Sequence, residues 1–455
     1  MTMQTINPAT GKPLKTYPQM TESEINETIA RASNAHLQWS EFTVAQRIEK
    51  MRHLISLMEE RKQDYAELIT QEMGKPISAA IAEVSKCQWV CTYYADHAEA
   101  LLAPKIVVTE LQKSYVCYKP LGIILGIMPW NFPFWQVFRF AAPNIIGGNG
   151  ILLSHAEINT GVSLAIEQLF YDAHFPEHLF RSLIVDHPTL AKVIHHPSVQ
   201  GVTLTGSQRA GRSVGKEAGD ALKKVVLELG GNDPYLILRD ADTALAAKVC
   251  VESRLANSGQ VCIAAKRLIV VDELYDDFLK KVLKEVDSYK VGDPMEKETK
   301  LGPLAREDLR AHVHEQVLTC IKQGAKLICG GVLPNTPGFF YPVTVLIDIE
   351  PSMLAVKEEI FGPVICIMRA RNEDEAIRMA NQTNFGLAAA VFTQNIEQGE
   401  RIARDKIQAG SCFVNAKIFS DPRLPFGGIN ESGYGRELGL EGMREFMNIK
   451  TIGIG

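Results

Sequence analysis

The 455-residue chain lacks the features that mark several large classes of protein. It has no run of about 18 apolar residues that could span a bilayer, and its N-terminus has no charged segment followed by an apolar one. No basic run exceeds a few residues, and the formal net charge is -5 with a pI near 6.2. Nucleic acid and membrane are therefore not expected partners, and we predict a cytoplasmic protein with a small-molecule ligand.

The nine cysteines indicate neither a disulfide framework nor a zinc site. Their number is odd and they are scattered over a chain without a secretion signal, so we expect reduced thiols. Cys87 and Cys91 lie four residues apart, but no second close Cys/His pair with finger-like spacing accompanies them, and we predict no metal. The chain also lacks repeats, low-complexity tracts and a Pro-rich linker.

The pattern of apolar segments predicts two α/β domains of similar size, with a site in the crevice between them. The composition, 46% hydrophobic and 22% charged, is sufficient for a large core. The first hundred residues have helical periodicity, and short apolar strands then alternate with helices, as is typical of parallel sheets. The predicted strands are 123–128, 150–153, 182–185, 201–205, 234–238, 267–271, 341–347, 364–369, 387–393 and 411–414. The predicted helices are 43–72, 76–102, 241–256, 273–287, 305–323, 373–382 and 396–407, with a capping box at 21–24.

The segment 206–213 follows a predicted strand and opens a helix, as a phosphate-binding turn does. A P-loop hydrolase would need lysine where Arg212 stands, because an ammonium must reach the terminal phosphates. A glycine-led helix start with Ser207 can still hold a pyrophosphate through backbone N–H groups. The G-x-G-x-x-G fingerprint is absent, since Gly148-Asn149-Gly150 precedes a strand. A P-loop, a variant dinucleotide site and an ordinary turn all remain open from these residues.

Cys262 follows a turn that is poor in side chains and contains Gly259, so its sulfur could meet a small electrophile. Glu228, in a separate turn before two glycines, could activate the water that releases a covalent product. A single cysteine of such a chain is more often a buried inert thiol. The pairing nevertheless predicts covalent catalysis.

Several short segments occur in a fixed order along the chain. They are 129–133 (PWNFP), 205–207 (TGS), 228–231 (ELGG), 259–262 (GQVC), 358–364 (EEIFGPV), 425–428 (PFGG) and 432–437 (SGYGRE). Together they resemble the motifs of the NAD(P)-dependent aldehyde dehydrogenases over essentially the whole chain. The resemblance implies an aldehyde dehydrogenase-like fold of two α/β domains with a small β extension. The implied parts are an NAD(P)-binding domain (1–105 and 123–230), a catalytic domain (231–430) and an oligomerisation element (106–122 and 431–455).

The resemblance also implies a role for each matching residue. Cys262 would attack the aldehyde, and the Asn131 amide with the Cys262 backbone N–H would hold the oxyanion. Glu228 would activate the hydrolytic water, and Glu437 would help to steer a proton or water. A catalytically silent member of the fold is the alternative, against which the intact set of Cys262, Asn131 and Glu228 argues. The implied cofactor-binding residues are Trp130, Ser154, Glu157, Gly206, Ser207, Gly230, Glu359 and Phe361.

The chain departs from the family where the adenosine ribose would bind. Most members have a lysine followed three residues later by glutamate, whereas this chain has Ser154 and Glu157. Glu157 can accept a hydrogen bond from a free 2′-hydroxyl and would repel a 2′-phosphate. We therefore predict NAD, with NADP left open.

Arg139, together with Trp135 and Ser420, suggests the substrate class. The position of Arg139 matches an arginine that succinate-semialdehyde dehydrogenases use for the substrate carboxylate, and Ser420 falls near a serine used similarly. The segment 302–310 also resembles the bacterial branch of those enzymes. We predict succinate semialdehyde as substrate, with glutarate semialdehyde or another aliphatic aldehyde as alternatives. An internal salt bridge of Arg139 is the competing interpretation.

The chain lacks one arginine of that branch, and two of its segments indicate assembly into oligomers. Its second arginine corresponds here to Ala256, so Arg423 or Lys417 would have to replace it. The segments 114–121 and 448–454 have the alternating or apolar character of strands that pair between subunits, which predicts a homodimer or homotetramer.

Overall fold

The computed structural model describes residues 2–455, which form four β-sheets surrounded by helices. The strands are β1 (Thr2–Asn7), β2 (Lys12–Pro18), β3 (Lys105–Ile106), β4 (Lys113–Pro120), β5 (Ile123–Met128), β6 (Gly150–His155), β7 (Phe180–Ser182), β8 (Val199–Thr205), β9 (Lys224–Glu228), β10 (Pro234–Ile237), β11 (Arg267–Val271), β12 (Lys326–Cys329), β13 (Thr344–Ile347), β14 (Val364–Ala370), β15 (Ala388–Phe392), β16 (Ser411–Val414), β17 (Gly433–Tyr434) and β18 (Met447–Ile454). The helices are α1 (Glu22–Ser40), α2 (Val44–Glu60), α3 (Lys62–Met73), α4 (Ile77–Leu101), α5 (Trp135–Gly147), α6 (Thr160–Asp172), α7 (His187–His195), α8 (Gln208–Asp220), α9 (Thr243–Leu255), α10 (Tyr275–Val286), α11 (Glu307–Lys322), α12 (Leu354–Lys357), α13 (Glu373–Asn381), α14 (Ile396–Asp405) and α15 (Gly439–Arg444).

The first large sheet has six strands in the order β17-β9-β8-β5-β6-β7. All neighbours are parallel except β17, which runs antiparallel to β9. The strands are apolar on both faces, because helices cover both sides of the sheet. Their carboxyl ends therefore share one edge, which brings Met128, Thr205 and Glu228 to the same side.

The second large sheet has seven strands in the order β12-β13-β14-β11-β10-β15-β16. Only β12 is antiparallel to its neighbour. Its strands are as apolar as those of the first sheet, and β11 is completely buried. The chain enters this sheet at Pro234, just after the first sheet ends at Glu228, so the turn between them lies where the two sheets approach each other.

Two small sheets complete the fold. β1 and β2 form an antiparallel hairpin, and β18, β4 and β3 form a three-stranded antiparallel sheet. In the latter, β18 is an edge strand whose residues are mostly exposed. Apolar side chains such as Val108 and Ile449 also project into solvent around this sheet.

The α/β fold class is confirmed, and most predicted elements lie within a few residues of the observed ones. The capping box is also present: Thr21 and Glu24 bind each other's backbone N–H groups. The β1–β2 hairpin was not predicted, since few of its residues are buried and it shows no apolar alternation. The predicted helix 43–72 is two helices, because the backbone at Arg61 leaves the helical conformation (φ -101, ψ 14).

The nonpolar positions of α4 pack against α5 in the core. Cys87 and Cys91 both lie there, where burial raises the pKa of each thiol. They therefore behave as small apolar side chains. None of the helices in residues 2–455 combines the length and the apolar character needed to cross a bilayer.

Candidate active site

The loop after α9 presents Cys262 in a strained backbone. Asn257 and Ser258 have positive φ angles of 49 and 57, which non-glycine residues adopt only when their surroundings impose it. Gly259 has a φ of 77, and a Cβ there would lie 2.1 Å from the carbonyl oxygen of Gly362. Only glycine fits that position, so the loop is held against the segment that precedes β14.

The side chain of Cys262 is partly buried. Burial raises the pKa of this thiol to about 11, and the nearby cations of Lys266 and Arg139 oppose the shift only in part. The Lys266 ammonium also donates a hydrogen bond to the carbonyl of Cys262. The thiolate is the nucleophilic form of cysteine, so burial opposes and the two cations favour the reactive state of Cys262.

Asn131 is buried beside this loop. Its side-chain nitrogen donates to the carbonyl oxygen of Gln260 at 3.0 Å, and its own carbonyl accepts from the Asn257 amide at 2.8 Å. These two hydrogen bonds join the segment after β5 to the loop that carries Cys262. Asn131, the predicted oxyanion donor, therefore contacts Gln260, which lies two residues before the predicted nucleophile Cys262.

Glu228 ends β9 with its side chain only 2% exposed. Burial raises the pKa of this carboxyl to about 8, while Arg139 lowers it and Glu437 raises it further. Its Oε1 has no hydrogen-bond partner among residues 2–455. A Cβ at position 427 would lie 2.7 Å from that oxygen, so Gly427 leaves space beside it. A buried carboxyl with a raised pKa and one free oxygen can act as a general base.

Arg139 lies beneath Glu228 and is 1% exposed. Its guanidinium forms an ion pair with Glu437, donates to the hydroxyl of Thr205 at 3.1 Å, and approaches Glu228 to 4.0 Å. The ring of Phe426 covers it at 4.9 Å. The structure therefore shows the internal salt bridge that was the competing interpretation of Arg139, because its guanidinium is paired with Glu437.

The predicted cofactor-binding residues Glu359 and Gly230 contact each other. Glu359 pairs with Lys266 at 2.6 Å and accepts from the Gly231 N–H at 3.4 Å. A Cβ on Gly230 would lie 2.2 Å from Oε2 of Glu359, so glycine is required for this approach. Beside them the rings of Trp130 and Phe361 meet edge to face at 5.7 Å. A carboxylate acceptor in a cradle free of side chains fits a ribose with two hydroxyls.

The adenosine side offers an anion-binding turn but no nearby lysine. Gly206 follows β8, and Ser207 caps α8 by accepting from the Ala210 N–H at 3.3 Å, so the first N–H groups of α8 face outward. Glu157 is exposed beyond the end of β6.

Ser154 and its neighbour add no positive charge at that end of β6. Ser154 itself is buried and pairs with Ile127 in the sheet. The His155 ring bonds the carbonyl of Pro133 at 2.9 Å, and burial lowers its pKa to about 4, so it is neutral.

On the other side of Cys262, Trp135 and Ser420 are both buried and share one neighbour, Lys86. The Lys86 ammonium donates to the Ser420 hydroxyl at 2.8 Å and lies 4.0 Å from the centre of the Trp135 ring. Neither Lys86 nor Lys266 was predicted from the sequence. Lys266 had a weak signal, four residues after Cys262, whereas Lys86 lies in an ordinary amphipathic stretch and depends on how α4 packs against α5.

A cysteine, a buried carboxyl close enough for their charges to interact, and a buried amide beside the same loop are the groups of an enzyme that works by covalent catalysis. Residues 1–452 match the model of the aldehyde dehydrogenase family. The chain belongs to this family, whose members oxidise aldehydes with NAD(P). The P-loop alternative finds no support, and the exposed Arg212 pairs with Glu431 at 2.8 Å.

Individual relatives extend over the whole chain. A succinate-semialdehyde dehydrogenase (NADP+) of Deinococcus radiodurans is 43% identical over 98% of this chain and 94% of its own length. A succinate semialdehyde dehydrogenase (NAD(P)+) of Escherichia coli is 42% identical over 98% of this chain and 96% of its own. The crystal structure of succinic semialdehyde dehydrogenase from Streptococcus pyogenes with NADP+ is 38% identical and superimposes with a TM-score of 0.97 over 99% of both chains.

Proposed function

We propose that this protein oxidises succinate semialdehyde to succinate with NAD(P). The observation that carries the proposal is the similarity, at 42–43% identity over nearly the full length, to enzymes named for that substrate. Glutarate semialdehyde, which is one methylene longer, is the second candidate, because one methylene in a pocket changes binding by only about 1–3 kcal/mol.

In the proposed mechanism, the Cys262 thiol gives its proton to water, and the thiolate sulfur attacks the carbonyl carbon of the aldehyde to form a C–S bond and an oxyanion. The oxyanion that forms accepts hydrogen bonds from the Asn131 side chain and from the backbone N–H of Cys262. Asn131 would exchange its present bond to Gln260 for this one. A bound NAD(P), held at its nicotinamide ribose by Glu359, would supply the acceptor for the hydride of the thiohemiacetal carbon, and Cys262 would then carry a thioester.

Glu228 acts in the second half of the reaction. As a carboxylate it takes a proton from the water that attacks the thioester, and Cys262 leaves as the thiolate. Its Oε1 has no hydrogen-bond donor within residues 2–455, so the carboxylate keeps an unused acceptor. Burial raises the pKa of Glu228, and the charges of Arg139 and Glu437 adjust the pH at which it becomes a base.

For the cofactor we propose that NAD is preferred, although the relatives above are named for NADP+ or for both. The support is local: the exposed Glu157 carboxylate would repel a 2′-phosphate, and neither Ser154 nor neutral His155 offsets it. Gly206 and Ser207 would hold the pyrophosphate, Glu359 the nicotinamide ribose, and Trp130, Gly230 and Phe361 would line its path.

We also propose that the protein is a homodimer or homotetramer. The support is the three-stranded sheet, in which the edge strand β18 is largely exposed and carries the exposed Ile449. In this proposal residues 106–122 and 431–455 bridge subunits, residues 1–105 and 123–230 bind NAD(P), and residues 231–430 carry the nucleophile.

The substrate proposal is tested by kcat/KM for succinate semialdehyde, glutarate semialdehyde, butanal and benzaldehyde with both cofactors. Butanal is the matched control, since it has the same carbon number without the carboxylate. We expect succinate semialdehyde to exceed butanal by at least about tenfold, the effect of one charged hydrogen bond. Equal values for the two would refute the proposal, and a higher value for glutarate semialdehyde would favour the second candidate.

A further inference from the structure

A substrate with a terminal carboxylate needs a cation that the protein itself has not neutralised. The two cations considered as replacements at Ala256 do not meet this requirement. Arg423 forms a two-point ion pair with Asp421 at 2.9 and 2.6 Å, and Lys417 pairs with Glu252 at 2.8 Å. Arg139 is held by Glu437. A different residue must therefore supply the free positive charge.

Lys86 has the surroundings that this role requires. It projects from α4 into the space beside Trp135 and Ser420, close enough to Cys262 and Arg139 for their charges to interact. Lys86 is partly buried and forms no ion pair with a carboxylate among residues 2–455, although cations withdrawn from water are ordinarily paired.

The acidic groups nearest to Lys86 have other partners. Glu83, on the same helix, pairs with Lys75 and accepts from the N–H groups at the start of α5. Asp421, beside Ser420, is bound by Arg423. An ammonium has three N–H donors, and the Ser420 hydroxyl takes only one of them. Two donors are left for an anion.

We propose that Lys86 and Ser420 bind the terminal carboxylate of the substrate and that the Trp135 ring holds the ammonium in place. This inference rests on the proposed function and extends it by naming the specificity-determining cation. It takes an ω-oxo acid, with the aldehyde at Cys262 and the carboxylate at Lys86. Arg139 then lies beneath the site and acts on Glu228.

The experiment compares the wild type with K86M, which keeps the length of the side chain and removes its charge. Succinate semialdehyde and butanal are the substrates, and succinate is tested as an inhibitor of butanal oxidation. K248M is the matched control, because Lys248 is an exposed lysine of α9 away from the site. Melting temperatures show whether each variant is folded, and S420A tests the second donor.

We expect K86M to lower kcat/KM for succinate semialdehyde, relative to butanal, by roughly 10- to 100-fold and to raise the succinate Ki similarly, as the loss of a charged hydrogen bond does. S420A should lower the same ratio by less, and K248M should leave it unchanged. Suppose that the wild type prefers succinate semialdehyde to butanal. A folded K86M with the same substrate ratio and the same succinate Ki as that wild type would then overturn the Lys86 assignment alone. A wild type that neither prefers succinate semialdehyde nor is inhibited by succinate would refute the proposed function, and the assignment with it.

Discussion

Arg139 and Glu228 face each other at 4.0 Å, and the side chain of each is only 2% exposed. Glu437 pairs with the same guanidinium. Arg139 therefore stabilises the Glu228 carboxylate less than it would if these two residues formed an ion pair alone. Burial therefore dominates, and the pKa of the Glu228 carboxyl rises to about 8. The pKa of the proposed general base is thus raised mainly by burial and adjusted by the charges of Arg139 and Glu437.

The first prediction separates the two stages of the reaction. Glu228→Gln should retain acylation and one rapid burst of reduced cofactor per site, while turnover falls by about 10²–10⁴-fold, the usual contribution of a general base. Cys262→Ala should lose both burst and turnover. Stopped-flow absorbance at the reduced-nicotinamide band measures the two together. Cofactor reduction by Cys262→Ala would contradict the assignment of the nucleophile.

The second prediction concerns pH. Glu228 must be ionised to accept a proton, so kcat should rise with pH and level off above about 8. Glu437→Gln removes a like charge and should move this inflection to lower pH. Arg139→Met removes the attractive cation and should move it to higher pH. Shifts of both variants in one direction would show that Glu228 is not the titrating group.

Arg139→Met also tests the competing role of that residue. If Arg139 acts through Glu228, the variant should impair succinate semialdehyde and butanal alike. A loss confined to succinate semialdehyde in the kcat/KM panel would instead support Arg139 as a clamp for the substrate carboxylate.

The third prediction concerns cofactor choice. Glu157→Gln keeps the size of the side chain and removes its charge, so the ratio of kcat/KM with NADP to that with NAD should rise by about tenfold or more. Glu397→Gln, at an exposed position of α14, is the control and should leave the ratio unchanged. A wild type that already prefers NADP would show that Glu157 does not exclude the 2′-phosphate.

The fourth prediction concerns a buried ion pair that supports the start of α5 and its effect on the stability of the fold. Lys75 and Glu83 form an ion pair whose side chains are 1% exposed, and Glu83 also accepts from the backbone N–H groups of Phe134 and Trp135. Lys75→Met leaves a buried carboxylate without its partner and should lower the free energy of unfolding by about 3–5 kcal/mol. Lys216→Met, in an exposed pair with Asp220, should cost less than about 1 kcal/mol. Urea unfolding measures both, and equal effects would contradict the prediction.

The fifth prediction concerns assembly. Ile449→Asp puts a charge on the exposed strand β18 and should shift the protein to smaller species in size-exclusion chromatography with light scattering. Leu222→Asp, at a position that is 96% exposed far from that sheet in the chain, is the control. A wild type that is already monomeric would refute the oligomer proposal.

The strands that position the site were predictable because parallel strands covered on both faces are nearly continuous apolar runs. Strands β5, β11 and β16 have the bounds that the sequence predicts. The β1–β2 hairpin and the break at Arg61 were missed, since neither carries a periodic apolar signal.

The sequence by itself determined the chemistry available to this protein. The motif segments supplied a thiol, an amide and a carboxylate, and their glycines marked where the backbone must approach closely, as Gly259 and Gly230 do. Tertiary structure alone decided which charges those groups meet. Glu437 occupies Arg139, and α4 brings Lys86 to Ser420, although hundreds of residues separate the partners in each pair. A local sequence pattern shows only the periodicity of side chains. The pKa of Glu228 and the unpaired charge of Lys86 depend instead on contacts formed when distant segments of the chain pack together.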